Sequence, residues 1–387
     1  MKKVISVLLT AAMAFSMLAG CGSEEKKDAL YIGGIGPTTG GTAIYGTAVK
    51  NGAQLAVDEI NAAGGISGYQ IEYKFEDDQN DAEKAVNAYN TLKDWGMQIL
   101  MGTVTTLPCV GVVDKTGADN MFQVTPSASS TDVIKGDNVF QICFTDPNQG
   151  TKSAQYIGEN NLAKKVAIIY DSSDVYSSGI EEKFVEEAAD QGLEIVSAEA
   201  FTADSKTDFS TQLKKAQDAG AELVFLPIYY QESSIILTQA DAMGFDPIFF
   251  SCDGMDGILT MENFDTSLAE GVMLLTPFAA DADDEATKKF VSTYKEKYGD
   301  TPNQFAADAY DAVYTIKAAI EQAAADGTEI TPKTASSDIC DALKAAMTKI
   351  NVNGLTGGED GLKWAETGEV NKEPKAVKIE NGVYVGM

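Results

Sequence analysis

Apolar and polar positions along the chain predict strands and helices in alternation. Residues 29–35 form a short apolar run ending in glycines, the pattern of a strand. Over 45–62, Tyr45, Val49, Ala53, Ala56 and Ile60 recur at helical spacing until Gly64-Gly65 stops the repeat. Tyr69, Ile71, Tyr73 and Phe75 then alternate with polar residues, which predicts a second strand. Asn80 with Glu83 has the form of a capping box opening a helix up to Lys93. Residues 98–101 and 122–124 read as further strands around a helix. The next stretch repeats the logic, with strands at 166–170, 193–198, 223–226 and 248–251 and helices at 179–190, 208–219 and 232–243.

Strands joined by crossover helices predict parallel sheets covered on both faces. After Thr276 the rhythm changes to three helical stretches, 283–298, 304–324 and 336–350, and a strand-like tail over 376–385. One α/β domain cannot easily use all of this. The expected fold class is therefore α/β with two doubly wound parallel-sheet lobes, each completed by a returning segment. No fixed-period repeat is visible, so a solenoid is not expected.

The amino terminus departs from this pattern. Lys2 and Lys3 precede an apolar stretch over 4–17, shorter than the roughly 20 residues a membrane-spanning helix needs. It fits the apolar core of an export signal. Leu18-Ala19-Gly20-Cys21 follows and resembles the bacterial lipobox, whose cleavage leaves a lipid-bearing cysteine. Residues 1–20 are thus expected to be a signal peptide, Cys21 the lipidation site, and 21–28 a polar tether. Two or more acyl chains would hold the protein stably outside the cell membrane, with no other membrane segment.

Composition narrows the chemistry. The 387 residues suggest two or three domains. Lys and Arg total 29 against 58 Asp and Glu, a net charge of −29, and the sequence holds neither Arg nor His. Such a chain should be repelled by nucleic acid, whose binding rests on basic residues at phosphates. It has no guanidinium clamp, no Ser-His-Asp or Cys-His machinery and no histidine metal site. No cofactor is expected. Cys109, Cys143, Cys252 and Cys340 show no CxxC pair or zinc spacing. They read as buried thiols, with one disulfide as the alternative in an oxidising compartment.

Ligands in open α/β sheets bind beyond the carboxyl ends of strands. There the sequence places two small, hydroxyl-rich turns, Gly102-Thr103-Val104-Thr105-Thr106 and Thr125-Pro126-Ser127-Ala128-Ser129-Ser130. Oγ and backbone N–H groups at a helix start suit a carboxylate, although each turn alone could be a plain helix cap. The glycines of 33–41 lack GxxxxGK[ST], so nucleotide binding is not expected.

These turns stand among further motifs: Gly33-Gly34-Ile35-Gly36-Pro37 with Thr38-Thr39-Gly40, Tyr45-Gly46, Asn51-Gly52-Ala53, Asp58-Glu59-Ile60-Asn61, Phe75-Glu76-Asp77-Asp78 and Asp308-Ala309-Tyr310-Asp311-Ala312. In order and spacing, residues 29–387 resemble the leucine/isoleucine/valine-binding protein family, the type I solute-binding proteins of ABC amino-acid importers. The resemblance implies two lobes joined by three crossings. They would comprise 29–146 plus 277–355 and 147–276 plus 356–387, crossing near Thr145–Asn148, Thr276–Ala279 and Asn353–Gly358. It implies that Thr106, with Ser127, Ala128 and Ser129, holds the ligand carboxylate and part of its ammonium. Tyr176, Tyr229 and Asp253 ahead of Gly254 would act from the second lobe, and Tyr45 and Phe305 would wall the side chain. Asp253 stands where Glu is common, Ser177 where Gly is, and Leu107 enlarges the wall beside Thr106.

A zwitterion needs fixed anion and cation sites a few ångströms apart. An ammonium and a carboxylate at 4 Å attract by about 4 kcal/mol at an effective dielectric constant of 20, before desolvation. The implied function is an extracytoplasmic protein that captures a small, branched-chain or other aliphatic amino acid for an ABC permease, as a monomer. The alternatives are the same fold holding an amide, urea-like compound or aromatic acid, or an extracellular hydrolase. A hydrolase needs two facing acids, of which the sequence places one.

Overall fold

A computed structural model describes residues 29–387. The expected signal peptide, lipidated Cys21 and tether lie outside the described residues.

The first sheet is built from β1 (Ala29–Gly36), β2 (Gln70–Asp77), β3 (Ile99–Gly102), β4 (Gln123–Thr125) and β5 (Val139–Gln141), in the order β2-β1-β3-β4-β5. Every pairing is parallel. Helices α1 (Ala43–Ala62), α2 (Ala82–Trp95) and α3 (Thr106–Ala118) connect its first four strands. The second sheet comes from β6 (Lys165–Asp171), β7 (Glu194–Phe201), β8 (Leu223–Leu226), β9 (Ile248–Ser251) and β10 (Met273–Thr276). Helices α4 (Asp146–Glu159), α5 (Val175–Ala188), α6 (Ser210–Asp218) and α7 (Tyr230–Ala242) belong with it. Three more helices follow, α8 (Glu285–Tyr298), α9 (Gln304–Ala325) and α10 (Ser336–Met347), and then β11 (Lys375–Glu380) and β12 (Val383–Gly386).

The central strands are buried on both faces, as all of β3 and β8 shows; this is why they read as unbroken apolar runs. The second sheet is not wholly parallel. β11 pairs antiparallel with β10, and β12 antiparallel with β11. The tail is a hairpin around Asn381-Gly382, whose N–H groups meet the Glu270 carboxylate. The expected capping box is also displaced. Asp81 caps α2 by accepting from Lys84 N–H, while Asn80 takes positive φ and accepts instead from the Thr105 hydroxyl.

The returning helices complete the first sheet. α9 presents Ala306, Ala309, Val313, Ile316 and Ile320 as a buried stripe and packs on α1. Gly52 is required at their crossing, because a Cβ there would lie 2.0 Å from the Ala306 carbonyl oxygen.

The final passage between sheets comes later than the sequence suggests. Residues 356–371, assigned by the resemblance to the second lobe, remain on the first sheet. The Trp364 indole N–H donates to the Gln141 carbonyl at 2.7 Å, and Gln141 N–H to the Gly368 carbonyl at 2.9 Å. Only after Lys372 does the chain enter β11. Gly357 lies against Leu362, where a Cβ would come within 3.0 Å of Leu362 Cγ.

Lys372 is buried at this passage. Its ammonium donates to Asp308 Oδ1 and Thr356 Oγ1, each at 2.6 Å. Thr356 and Leu355 bond the neighbouring Asp311 carboxylate, and Asn148 Nδ2 reaches the Lys372 carbonyl. The four cysteines are buried and unpaired. Among the described residues, no helix is long and apolar enough to cross a membrane.

Candidate functional site

Carboxyl ends of strands from both sheets converge. From the first sheet, β3 runs through Thr105 into α3, which starts at Thr106, and β4 runs into the 126–130 loop. From the second, β6 leads to α5 and Tyr176, β8 to Tyr229 ahead of α7, and β9 to Asp253-Gly254. Asp174 caps α5 by accepting from Tyr176 N–H at 3.0 Å, which fixes where the Tyr176 ring leaves the helix.

Eight of the predicted residues line one small, nearly filled cavity: Tyr45, Thr106, Ser127, Tyr176, Tyr229, Asp253, Gly254 and Phe305. Val104 and Thr105 complete its wall, and neither was singled out from the sequence. Ala128 and Ser129 lie just behind. Ser129 N–H donates to Thr106 Oγ1 at 3.3 Å, joining the two hydroxyl-rich turns, and Ala128 N–H donates to Thr125 Oγ1 at 3.0 Å. Ser127 Oγ is committed to the Val104 carbonyl at 2.6 Å.

A larger, more open groove lies at the amino ends of β9 and β10, beside Ile248 and Met273. That is the wrong end of the sheet for a ligand.

The lobes are closed on one another. Tyr45 Oη, from α1, donates to the Gly254 carbonyl and accepts Tyr230 N–H at 3.2 Å. Around it the rings of Tyr229, Tyr230 and Phe305 pack at centroid distances of 5.6, 4.9 and 4.3 Å. Tyr176 stacks on Tyr229 at 4.9 Å. The result is an aromatic wall with few polar handles, suited to an apolar side chain.

Asp253 is the acid of this wall. Its carboxylate accepts from the Tyr176 hydroxyl at 2.7 Å, and that hydroxyl accepts Gly254 N–H at 3.0 Å. Asp253 N–H reaches Gln149 Oε1 at 3.3 Å, and its carbonyl accepts from Gln304 Nε2 at 2.8 Å. These partners are neutral. Burial pushes the Asp253 carboxyl up to about 7, against the pull of the Tyr176 and Gln149 hydrogen bonds. Gln149 and Gln304 were missed in the sequence because neither sits in a recognisable turn motif.

Gly254 cannot be enlarged without cost. A Cβ there would lie 2.7 Å from Tyr176 Oη and 2.9 Å from the Ile228 carbonyl oxygen. Gly254→Ala should therefore displace Tyr176 and destabilise the fold by about 1–3 kcal/mol, the usual range for overpacking. A thermal melt matching the unsubstituted protein would contradict this geometry.

The Gly33–Gly41 run forms no phosphate cradle. Its turn is closed by an acid, with Thr38 N–H donating to Asp77 Oδ1 at 2.8 Å and Thr39 Oγ1 to Asp77 Oδ2 at 2.5 Å.

The family profile for periplasmic binding proteins matches residues 29–382. The chain belongs to this family. It is 33% identical over 323 residues to Leu/Ile/Val-binding protein homolog 3 of Brucella melitensis, covering 82% of this chain and 86% of that one. Among solved structures it is similar to the branched-chain amino acid transporter substrate binding protein LivJ of Streptococcus pneumoniae, in complex with isoleucine. That likeness has a TM-score of 0.81 at 28% identity and covers 93% of this chain and all of the other. A solute binding protein of an ABC transporter from R. palustris, in complex with benzoate, shares the fold with a TM-score of 0.80 at 18% identity over 93% of this chain and 95% of that one. The fold is that of the type I periplasmic binding proteins. The family members it matches are binding proteins of transport, not enzymes, and they work outside the cytoplasm.

Proposed function

We propose that this protein captures a small aliphatic amino acid, branched-chain ones foremost, outside the cell and delivers it to an ABC permease. In this reading it is a monomer held at the membrane by lipid on Cys21. The observation that carries the reading is the opposition across one closed cavity of hydroxyl-rich turns from the first sheet and Asp253 from the second. Thr106 Oγ1 and the Ser127 backbone N–H take the carboxylate, Ala128 holds the loop behind them through Thr125, and the Ser129 hydroxyl is left for the ammonium. Asp253 takes the ammonium through a charge-assisted hydrogen bond. Tyr45, Phe305, Tyr176 and Tyr229 enclose the side chain, and Gly254 lets the Asp253 turn lie against Tyr176.

Because the anion and cation sites ride on different lobes, the zwitterion favours the closed arrangement over any open one. This is hinge closure driven by differential affinity. The names of the similar proteins, and the isoleucine held by LivJ, agree with that ligand class.

A thermal-shift screen tests the reading. Neutral L-amino acids should raise the melting temperature, by the equivalent of about 2.7 kcal/mol at a hundredfold excess over Kd. A rise produced only by amides, urea-like compounds or aromatic acids would replace the amino acid with that class. One observation favours the latter group: an Asp253 carboxyl held near 7 is in part protonated and able to donate to a neutral carbonyl oxygen.

The pH dependence has a definite sign. An ammonium prefers ionised Asp253, so affinity should strengthen from pH 5 to pH 8, by at most about tenfold per unit below 7. The protein without ligand should run the other way. Asp253 and Asp256, raised by burial to about 7 and about 6, are held neutral in the folded state. Their contribution to stability is complete below the unfolded carboxyl pKa near 4 and is lost as pH climbs through 6 and 7. Titration calorimetry and melts across this window check both. An affinity flat with pH would remove Asp253 from contact with any cation.

A further inference from the structure

The first residue of α4 carries a carboxylate that the site as described does not use. Asp146 is 2% exposed, and neither Oδ1 nor Oδ2 has a hydrogen-bond partner. Its backbone N–H donates to the Ser129 carbonyl at 3.0 Å, which sets it against the loop after β4. On its other side lies α5. A Cβ on Gly179 would come within 3.6 Å of Asp146 Cβ and 3.7 Å of Oδ2. Asp146 therefore sits where the first-lobe loop, the crossing segment and the second-lobe helix bearing Tyr176 meet.

Two more buried polar atoms at this junction lack partners, Ser129 Oγ and Gln149 Nε2. Gln149 is one helical turn beyond Asp146, and its Oε1 accepts Asp253 N–H. The free carboxylate, hydroxyl and amide lie behind the cavity and are tied to it through Gln149 on Asp253 N–H and Ser129 N–H on Thr106.

Leaving a carboxylate buried without a partner is expensive. Burial holds the Asp146 carboxyl well above its ordinary range. The neighbouring buried lysine, Lys372, is already committed to Asp308. Among the described residues no lysine pairs with Asp146, which leaves it open to a cation brought by a ligand.

We propose that Asp146 is a second acceptor for the ligand ammonium and sets the demand for it. With Asp253 and the Ser129 hydroxyl, it receives a primary ammonium when the ligand enters and discriminates against acids lacking one. The proposal rests on the amino-acid reading given above, and it puts the second acid of the cleft to binding rather than hydrolysis.

Titration calorimetry tests it on the unsubstituted protein and on Asp146→Asn. The probes are the neutral L-amino acids and, for each that binds, the carboxylic acid in which hydrogen replaces the amino group. Asp146→Asn should weaken the amino acid at least tenfold while leaving the deaminated acid unchanged or tighter. Its melting temperature without ligand should be unchanged or higher, because an unpaired buried carboxyl is gone. Asp146→Ser, which retains a small polar side chain at the start of α4, repeats the measurement if the amide variant folds poorly.

Amino-acid affinity within twofold of the unsubstituted protein would overturn the proposal. So would equal losses for both ligand types, which would mark a purely structural residue. Failure of the unsubstituted protein to bind any amino acid is a separate result. It would overturn the amino-acid reading itself and this proposal with it.

Discussion

Asp253→Ala is expected to lose the ligand-induced rise in melting temperature altogether. The carboxylate is buried, held by neutral partners, and faces the cavity that also holds Thr106 and Ser127. Truncating one partner of a buried, hydrogen-bonded charge pair costs about 2–5 kcal/mol, or roughly 30-fold to several-thousand-fold in Kd. Much of that comes from leaving the ligand's ammonium buried beside an empty space. Asp253→Asn separates charge from shape. It keeps an acceptor for the Tyr176 hydroxyl, so the fold should survive, while the affinity for amino acids should still fall by at least tenfold. Deaminated acids should lose little, because they bring no cation. If Asp253→Ala retains a full thermal shift with an amino acid, Asp253 does not contact the ligand.

The second large effect is on stability. Lys372→Ala should lower the melting temperature by roughly 5–10 °C, since breaking a buried ion pair costs about 3–5 kcal/mol and a chain of this size loses a few degrees per kcal/mol. The Lys372 and Asp308 side chains are 1% and 2% exposed, so removing the ammonium strands a carboxylate where water cannot reach it. Asp308 is already lifted to about 6 by burial even with Lys372 beside it. The double variant Lys372→Met with Asp308→Leu should recover most of the loss, because a well-packed apolar pair replaces a buried ionic one at little net cost. If the single variant melts like the unsubstituted protein, the pair is not holding the third crossing.

The alternation of strands and helices was legible because parallel central strands are buried on both faces and leave apolar runs such as Leu223–Leu226. Elements without that signature were not seen. β5 is three residues long, β10 only four, and α4 opens on Asp146-Pro147 like a loop. The closing hairpin was read as one strand, because edge pairing depends on a turn rather than on periodicity.

At the site, hydroxyl-rich turns after strands pointed to Thr106 and to Ser127 through Ser129. The resemblance brought in the second-lobe residues. Asp146, Gln149 and Gln304 escaped both routes, because nothing in a one-dimensional pattern says that a residue on another helix will end beside Asp253. The crossing expected near Asn353–Gly358 failed for a related reason. The resemblance put it ahead of a stretch that Trp364 anchors to Gln141, a contact between residues far apart in the chain.

Gln304, the opening residue of α9, has its N–H on the Asp256 carboxylate at 2.9 Å and its side-chain amide on the Asp253 carbonyl. The 22 residues that follow from this contact run as one continuous helix, a rod of about 33 Å at 1.5 Å per residue. This end of the rod sits at the lip of the pocket, where Phe305 lines it. A swing of ten degrees there sweeps its far tip through roughly 6 Å. Under the proposed closure, an event on the scale of a single metabolite would become a movement large enough for another protein to feel.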